Sequence, residues 1–143
     1  MIEQLMVATV MVMATVTIHG IGLFALARLL RMEEGTEREF HFSIASPRGL
    51  VFTLMLVIAL FALHGVEIWL YGALYLWLGA LPDLATAVYF STITYGTVGY
   101  DDEGVTASWK LIAAIEGING VILLGWSTAF FVTVIHRVRG PTR

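Results

Sequence analysis

Three runs of apolar residues, 5–30, 50–78 and 108–135, dominate the chain. Wound as helices at about 1.5 Å per residue, each is long enough to cross about 30 Å of hydrocarbon. The pattern therefore predicts an all-α membrane protein with three transmembrane helices. Composition agrees: 58% of the 143 residues are hydrophobic and 13% are charged, whereas a soluble domain needs about a quarter of its residues charged to cover its surface. With no cysteine, disulfides and thiolate metal sites are excluded. The net charge of −3, with no basic run, gives nucleic acid nothing to bind.

Between the second and third runs lies a shorter apolar segment, 82–94, opened by Pro82 and Asp83. About 13 helical residues reach only about 20 Å, so the segment enters the bilayer and must return. Non-helical backbone at that depth needs protein around it or water beside it. Arg28, Arg31, Arg38 and Arg48 surround the first connection, Arg137, Arg139 and Arg143 follow the third run, and only Lys110 falls elsewhere. Basic residues mark the cytoplasmic side, which places the N-terminus and the re-entrant segment outside, with Trp77 and Trp109 at the outer interface. Ala25-Leu26-Ala27 has the form of a signal cleavage site, but Glu3 stands where basic residues are usual and Arg28 and Arg31 act as a stop. A retained first helix is expected.

The stretch Ser91-Thr92-Ile93-Thr94-Tyr95-Gly96-Thr97-Val98-Gly99-Tyr100 resembles the pore helix and selectivity filter of potassium channels, in which a short helix runs into Thr-Val-Gly-Tyr-Gly. The chemistry of such a filter is dehydration: K⁺ exchanges its water for stacked rings of oxygens. The resemblance assigns those oxygens to the carbonyls of Thr97, Val98, Gly99 and Tyr100 and to the Thr97 hydroxyl. One chain supplies a quarter of each ring, so a homotetramer in a lipid bilayer is implied, with K⁺ as permeant ion and no cofactor. Gly99 is expected at positive φ, where carbonyls turn inward. The division that follows is 1–31 additional N-terminal helix, 32–48 cytoplasmic loop, 49–137 pore domain and 138–143 short tail. Within the pore domain the outer helix is 49–78, the pore helix 82–94, the filter 96–102 and the inner helix 107–136. Trp109, Glu116-Gly117-Ile118-Asn119-Gly120 and Gly125-Trp126-Ser127-Thr128-Ala129-Phe130 look like the inner helix of small bacterial channel subunits, which implies a bacterial inner membrane. Helical register from the filter puts Ile122, Gly125, Ala129 and Thr133 on one stripe as cavity lining. Gly117, Gly120 and Gly125 read equally as a hinge or as close packing.

Two acids line the outer mouth, and one of them departs from the family pattern. Asp101 stands where the family has its second filter glycine, and Asp102 where it has an acid behind the filter. Four copies of Asp101 attract cations without choosing K⁺ over Na⁺, so a weakly selective cation channel is the nearest alternative. Phe90 cannot donate a hydrogen bond to the filter tyrosine as a Trp there would, and Ile93 supplies no carboxylate.

His19, His64, Glu67 and Glu116 lie inside apolar runs, where ionisable groups are functional candidates. His64 and Glu67 share a helix face. Counted from their outer ends, Glu67 and Glu116 sit at about the same depth, near 16 Å. A buried polar cluster of His64, Glu67 and Glu116 behind the filter is expected, as a packing device rather than a relay. A proton- or metal-coupled transporter using these three, and a non-conducting scaffold, are the readings from other classes. No catalytic motif is present, so no enzyme activity is expected, and no repeated arginine pattern marks a voltage sensor.

Overall fold

A computed structural model describes residues 1–34, 46–99, 105 and 107–139. It contains α1 (Ile2–Glu34), α2 (Pro47–Trp77), α3 (Leu84–Tyr95) and α4 (Lys110–Arg139), the last preceded by a single 3-10 turn at Ala107–Trp109. No strand occurs among the described residues. Helices α1, α2 and α4 are each long and apolar enough to cross a membrane, and α3 is not.

Local chemistry sets the helix ends. Ser46 caps α2, its side chain accepting from the Gly49 amide at 3.1 Å, and Pro47 takes the first helical position, where a missing N–H costs nothing. Helix α3 begins at Leu84 rather than at 82 because Asp83 is its cap and not one of its residues. The Asp83 carboxylate accepts from the Thr86 amide at 2.9 Å and the Thr86 hydroxyl at 2.8 Å. Pro82 therefore precedes the cap.

Helix α1 runs antiparallel to α2 and alongside α4 in the same direction. One apolar cluster gathers Ala8 and Met11 of α1, Tyr71 and Tyr75 of α2, Phe90 of α3 and Ile112 of α4. A second, at the other end, joins Leu23 to Leu56 and Leu60. Between the clusters α1 presents polar groups: Thr15 accepts from the Asn119 amide at 2.8 Å, and the same amide reaches the Tyr71 hydroxyl at 3.3 Å. The short α3 lies between α2 and α4 by close backbone approach. A methyl added at Gly72 would stand 3.0 Å from a Val88 side-chain carbon, and one at Gly120 only 2.3 Å from the Tyr95 carbonyl oxygen. Gly120 is thus a contact glycine, whereas nothing lies within 4 Å of a methyl at Gly125.

Candidate functional site

The segment after α3 turns by hydrogen bonding back onto the helix. Val98 N–H donates to the Ile93 carbonyl at 3.0 Å and Thr97 N–H to the Thr94 carbonyl at 3.1 Å, the paired bonds of a Schellman ending; Gly99 N–H also points at Ile93, at 3.4 Å. Helix α2 ends in the same way, with Ala80 N–H on Tyr75 and Gly79 N–H on Leu76. The residue that turns left-handed is Gly79 after α2, at φ 62°, and Thr97 after α3, at φ 54°. The expected positive φ at Gly99 is therefore corrected: the reversal falls on Thr97, because the closing bonds span Ile93 to Val98. A β-branched residue there stores strain of about 1–3 kcal/mol. With these amides turned toward α3, no hydrogen bond among the described residues ends on the carbonyls of Thr97, Val98 or Gly99. Tyr100, Asp101 and Asp102 lie outside the described residues.

Val98 is 81% exposed in the single chain. Beside it opens a cleft of about 350 Å³ whose lining includes Ile93, Thr94, Thr97, Gly99, Gly117 and Ile118. The Thr94 hydroxyl is buried without a hydrogen-bond partner among the described residues. On α4 the stripe Ile122, Gly125, Ala129 and Thr133 is exposed along its length, with the Thr133 hydroxyl turned back to the Ala129 carbonyl at 2.8 Å.

Behind α3 the polar residues separate into two groups, and His64, Glu67 and Glu116 do not form the single cluster expected. Glu116 accepts from the Tyr75 and Ser91 hydroxyls, each at 2.5 Å. Glu67 instead meets His19 Nδ1 at 2.8 Å and accepts from the Tyr95 hydroxyl, with His64 Nδ1 3.3 Å away. Similar depth did not bring the acids together because they engage different turns of α2 and α3. Sequence reasoning named His19 as a candidate without joining it to this cluster, and left out Tyr95 and Ser127. Depth counted from helix ends hides His19: it lies 17 residues into α1, about 26 Å, whereas Glu67, its partner, lies ten residues from the end of α2, about 15 Å.

Outside the spans, backbone and side-chain hydrogen bonds from Thr86 hold the Asp83 carboxyl below the usual carboxylate range.

Three apolar helices make this an integral membrane protein. No curated protein and no solved structure matches the chain. Residues 63–137 match the family model of ion channels, just over half the chain, taking in the second half of α2, all of α3 and nearly all of α4. The match takes in an apolar helix pair and the short capped helix between them, and the chain belongs to the ion channel family, of the potassium-channel pore type.

Proposed function

We propose that four copies of the chain surround an axis and conduct K⁺ through a filter formed by Thr97, Val98, Gly99 and Tyr100. The observation that carries this reading is the loop after α3. Its amides are spent on α3, and its carbonyls at Thr97, Val98 and Gly99 accept no hydrogen bond among the described residues, the condition for oxygens that replace an ion's water. Further support comes from the exposed Val98, the adjoining cleft and the unpartnered stripe Ile122, Gly125, Ala129 and Thr133. In the assembly these surfaces face neighbouring copies, and the α4 stripe lines the cavity. K⁺ sits at the filter carbonyls and the Thr97 hydroxyl. Asp101 and Asp102 ring the outer mouth and concentrate cations there. The chain resides in a bacterial inner membrane, with its N-terminus outside and C-terminus cytoplasmic, where the arginines cluster.

The test is a lipid-bilayer recording under opposed K⁺ and Na⁺ gradients, paired with native mass measurement of the assembly. A four-fold mass and a reversal potential near that of K⁺ are expected. A reversal potential midway between the two ions assigns the weakly selective alternative and lays it on Asp101. A stable monomer or dimer without current defeats the channel reading.

A further inference from the structure

Behind α3, side chains from all four helices close into a ring. Its contacts are five: Glu67 Oε1 to His19 Nδ1 at 2.8 Å, His19 Nε2 to Ser127 Oγ at 3.3 Å, Ser127 Oγ to His64 Nε2 at 3.0 Å, His64 Nδ1 to the Tyr95 hydroxyl at 2.9 Å, and that hydroxyl to Glu67 Oε2. The 3.3 Å approach of His64 Nδ1 to Glu67 Oε2 closes a triangle with Tyr95 and shares its hydrogens. His19 and Glu67 are fully buried, and His64 and Ser127 nearly so.

Each such contact holds only if one hydrogen lies in it; otherwise two lone pairs face each other. Tyr95 and Ser127 bring one hydrogen each, two neutral imidazoles bring one each, and an ionised Glu67 brings none. That is one hydrogen short of the contacts to be filled. We infer that the ring is a proton-binding site, holding one proton beyond two neutral imidazoles and an ionised carboxylate, and that this proton ties α1 to the end of the pore helix.

With that proton every member donates once and accepts once, head to tail, and the circuit closes in either direction. The count is the same whether the proton rests on the carboxyl or on an imidazole. Charge points the same way: with the proton the ring is neutral, and without it a net negative charge is left at hydrocarbon depth, a costly position. The titratable groups facing the ring are its own His19 on α1, His64 and Glu67 on α2 and Tyr95 on α3. Next to them on α2 is Tyr71, held by Asn119. On α4, Glu116 is bonded away to Tyr75 and Ser91. Because Tyr95 is the last residue of α3, losing the proton breaks a contact in the ring that steadies the turn into Thr97. The regulatory part of the inference rests on the channel reading; the proton count does not.

The experiment is magic-angle NMR of the full chain in lipid, with ¹⁵N-histidine and ¹³C-glutamate labels, across a pH series. In wild type, three hydrogens are expected over the Glu67 carboxyl and the nitrogens of His19 and His64, falling to two in one step as the sample is made alkaline. Glu67→Gln supplies the missing hydrogen from its amide, so two neutral imidazoles, no alkaline step and an intact ring are expected. Ser127→Ala removes two contacts and one hydrogen, so the proton is no longer required to complete the circuit. Its alkaline step should move to lower pH by about one pH unit, the worth of one hydrogen bond. Two neutral imidazoles beside an ionised Glu67 in wild type at neutral pH, or an unmoved step in Ser127→Ala, overturn the proton site. In the bilayer, wild-type K⁺ current should fall through the same step and Glu67→Gln current should stay flat. A flat wild-type current with the NMR step present overturns the link to α3. Absence of any current counts against the channel reading alone, since the NMR step still decides the ring.

Discussion

Gly120 shows how one missing methyl positions the whole pore helix. Its α-carbon lies against the backbone of Tyr95, and a Cβ there would meet the Tyr95 carbonyl oxygen at 2.3 Å and the carbonyl carbon at 3.0 Å. Backbone cannot rotate away as a side chain can, so Gly120→Ala must push α3 off α4. A loss of about 1–3 kcal/mol is expected, read as a lower thermal midpoint in detergent. Gly125→Ala, with open space around the new methyl, should change stability by less than about 0.5 kcal/mol. Equal effects at the two positions would mean that helix flexibility, not contact, governs these glycines. The sequence shows three glycines on one helix and leaves hinge and contact equally open, because which glycine faces a neighbour depends on the packing of α3.

At the scale of an element, α3 depends on its first turn. It has 12 residues, too few to hold a helix alone in water, and its free N-terminal amides need an acceptor. Asp83 supplies one, and the Thr86 amide and hydroxyl in turn hold the Asp83 carboxyl below its ordinary range. A carboxyl depressed in the folded state stabilises it above the unfolded value, and that contribution is lost as pH falls through the folded value. Hydrogen-exchange protection of the Thr86 amide should therefore be constant at neutral pH and fall below about pH 4, while Asp83→Asn should show no such fall. Protection independent of pH in the wild type would remove the cap from this account. The other end of α3 carries the opposite feature, Thr97 in a left-handed conformation where α2 uses Gly79. The sequence ends the pore helix at 94 and opens the filter at 96, but which residue reverses follows from the closing hydrogen bonds.

For the whole molecule, α1 is part of the fold and not an appendage, although the matched region begins only at residue 63. It buries Thr15 against Asn119 and His19 against Glu67 and Ser127. Without it, Asn119, Glu67 and Ser127 each lose a hydrogen-bond partner at hydrocarbon depth, where unsatisfied polar groups cost several kcal/mol, comparable to the margin of a folded domain. A chain lacking residues 1–31 should fail to yield the proposed four-fold assembly on native mass measurement, whereas replacing exposed Met6, Val10 and Met13 by Leu should leave it intact. A stable assembly without α1 would show that its polar contacts are incidental.

The three apolar runs, the segment too short to span and the Thr-Val-Gly-Tyr tetrapeptide were enough, from sequence alone, to determine an all-α membrane protein with a potassium-channel type of pore. These are one-dimensional properties: span length is set by bilayer thickness, and the tetrapeptide is contiguous. Only the tertiary structure decided that Glu67 and Glu116 part company, that His19 completes the ring with Ser127 and Tyr95, and that Gly120 is a contact. Each depends on how far one helix slides and turns against another. Apolar runs this uniform do not encode that offset, because almost any register buries equally greasy faces, and the few polar side chains set it by finding one another.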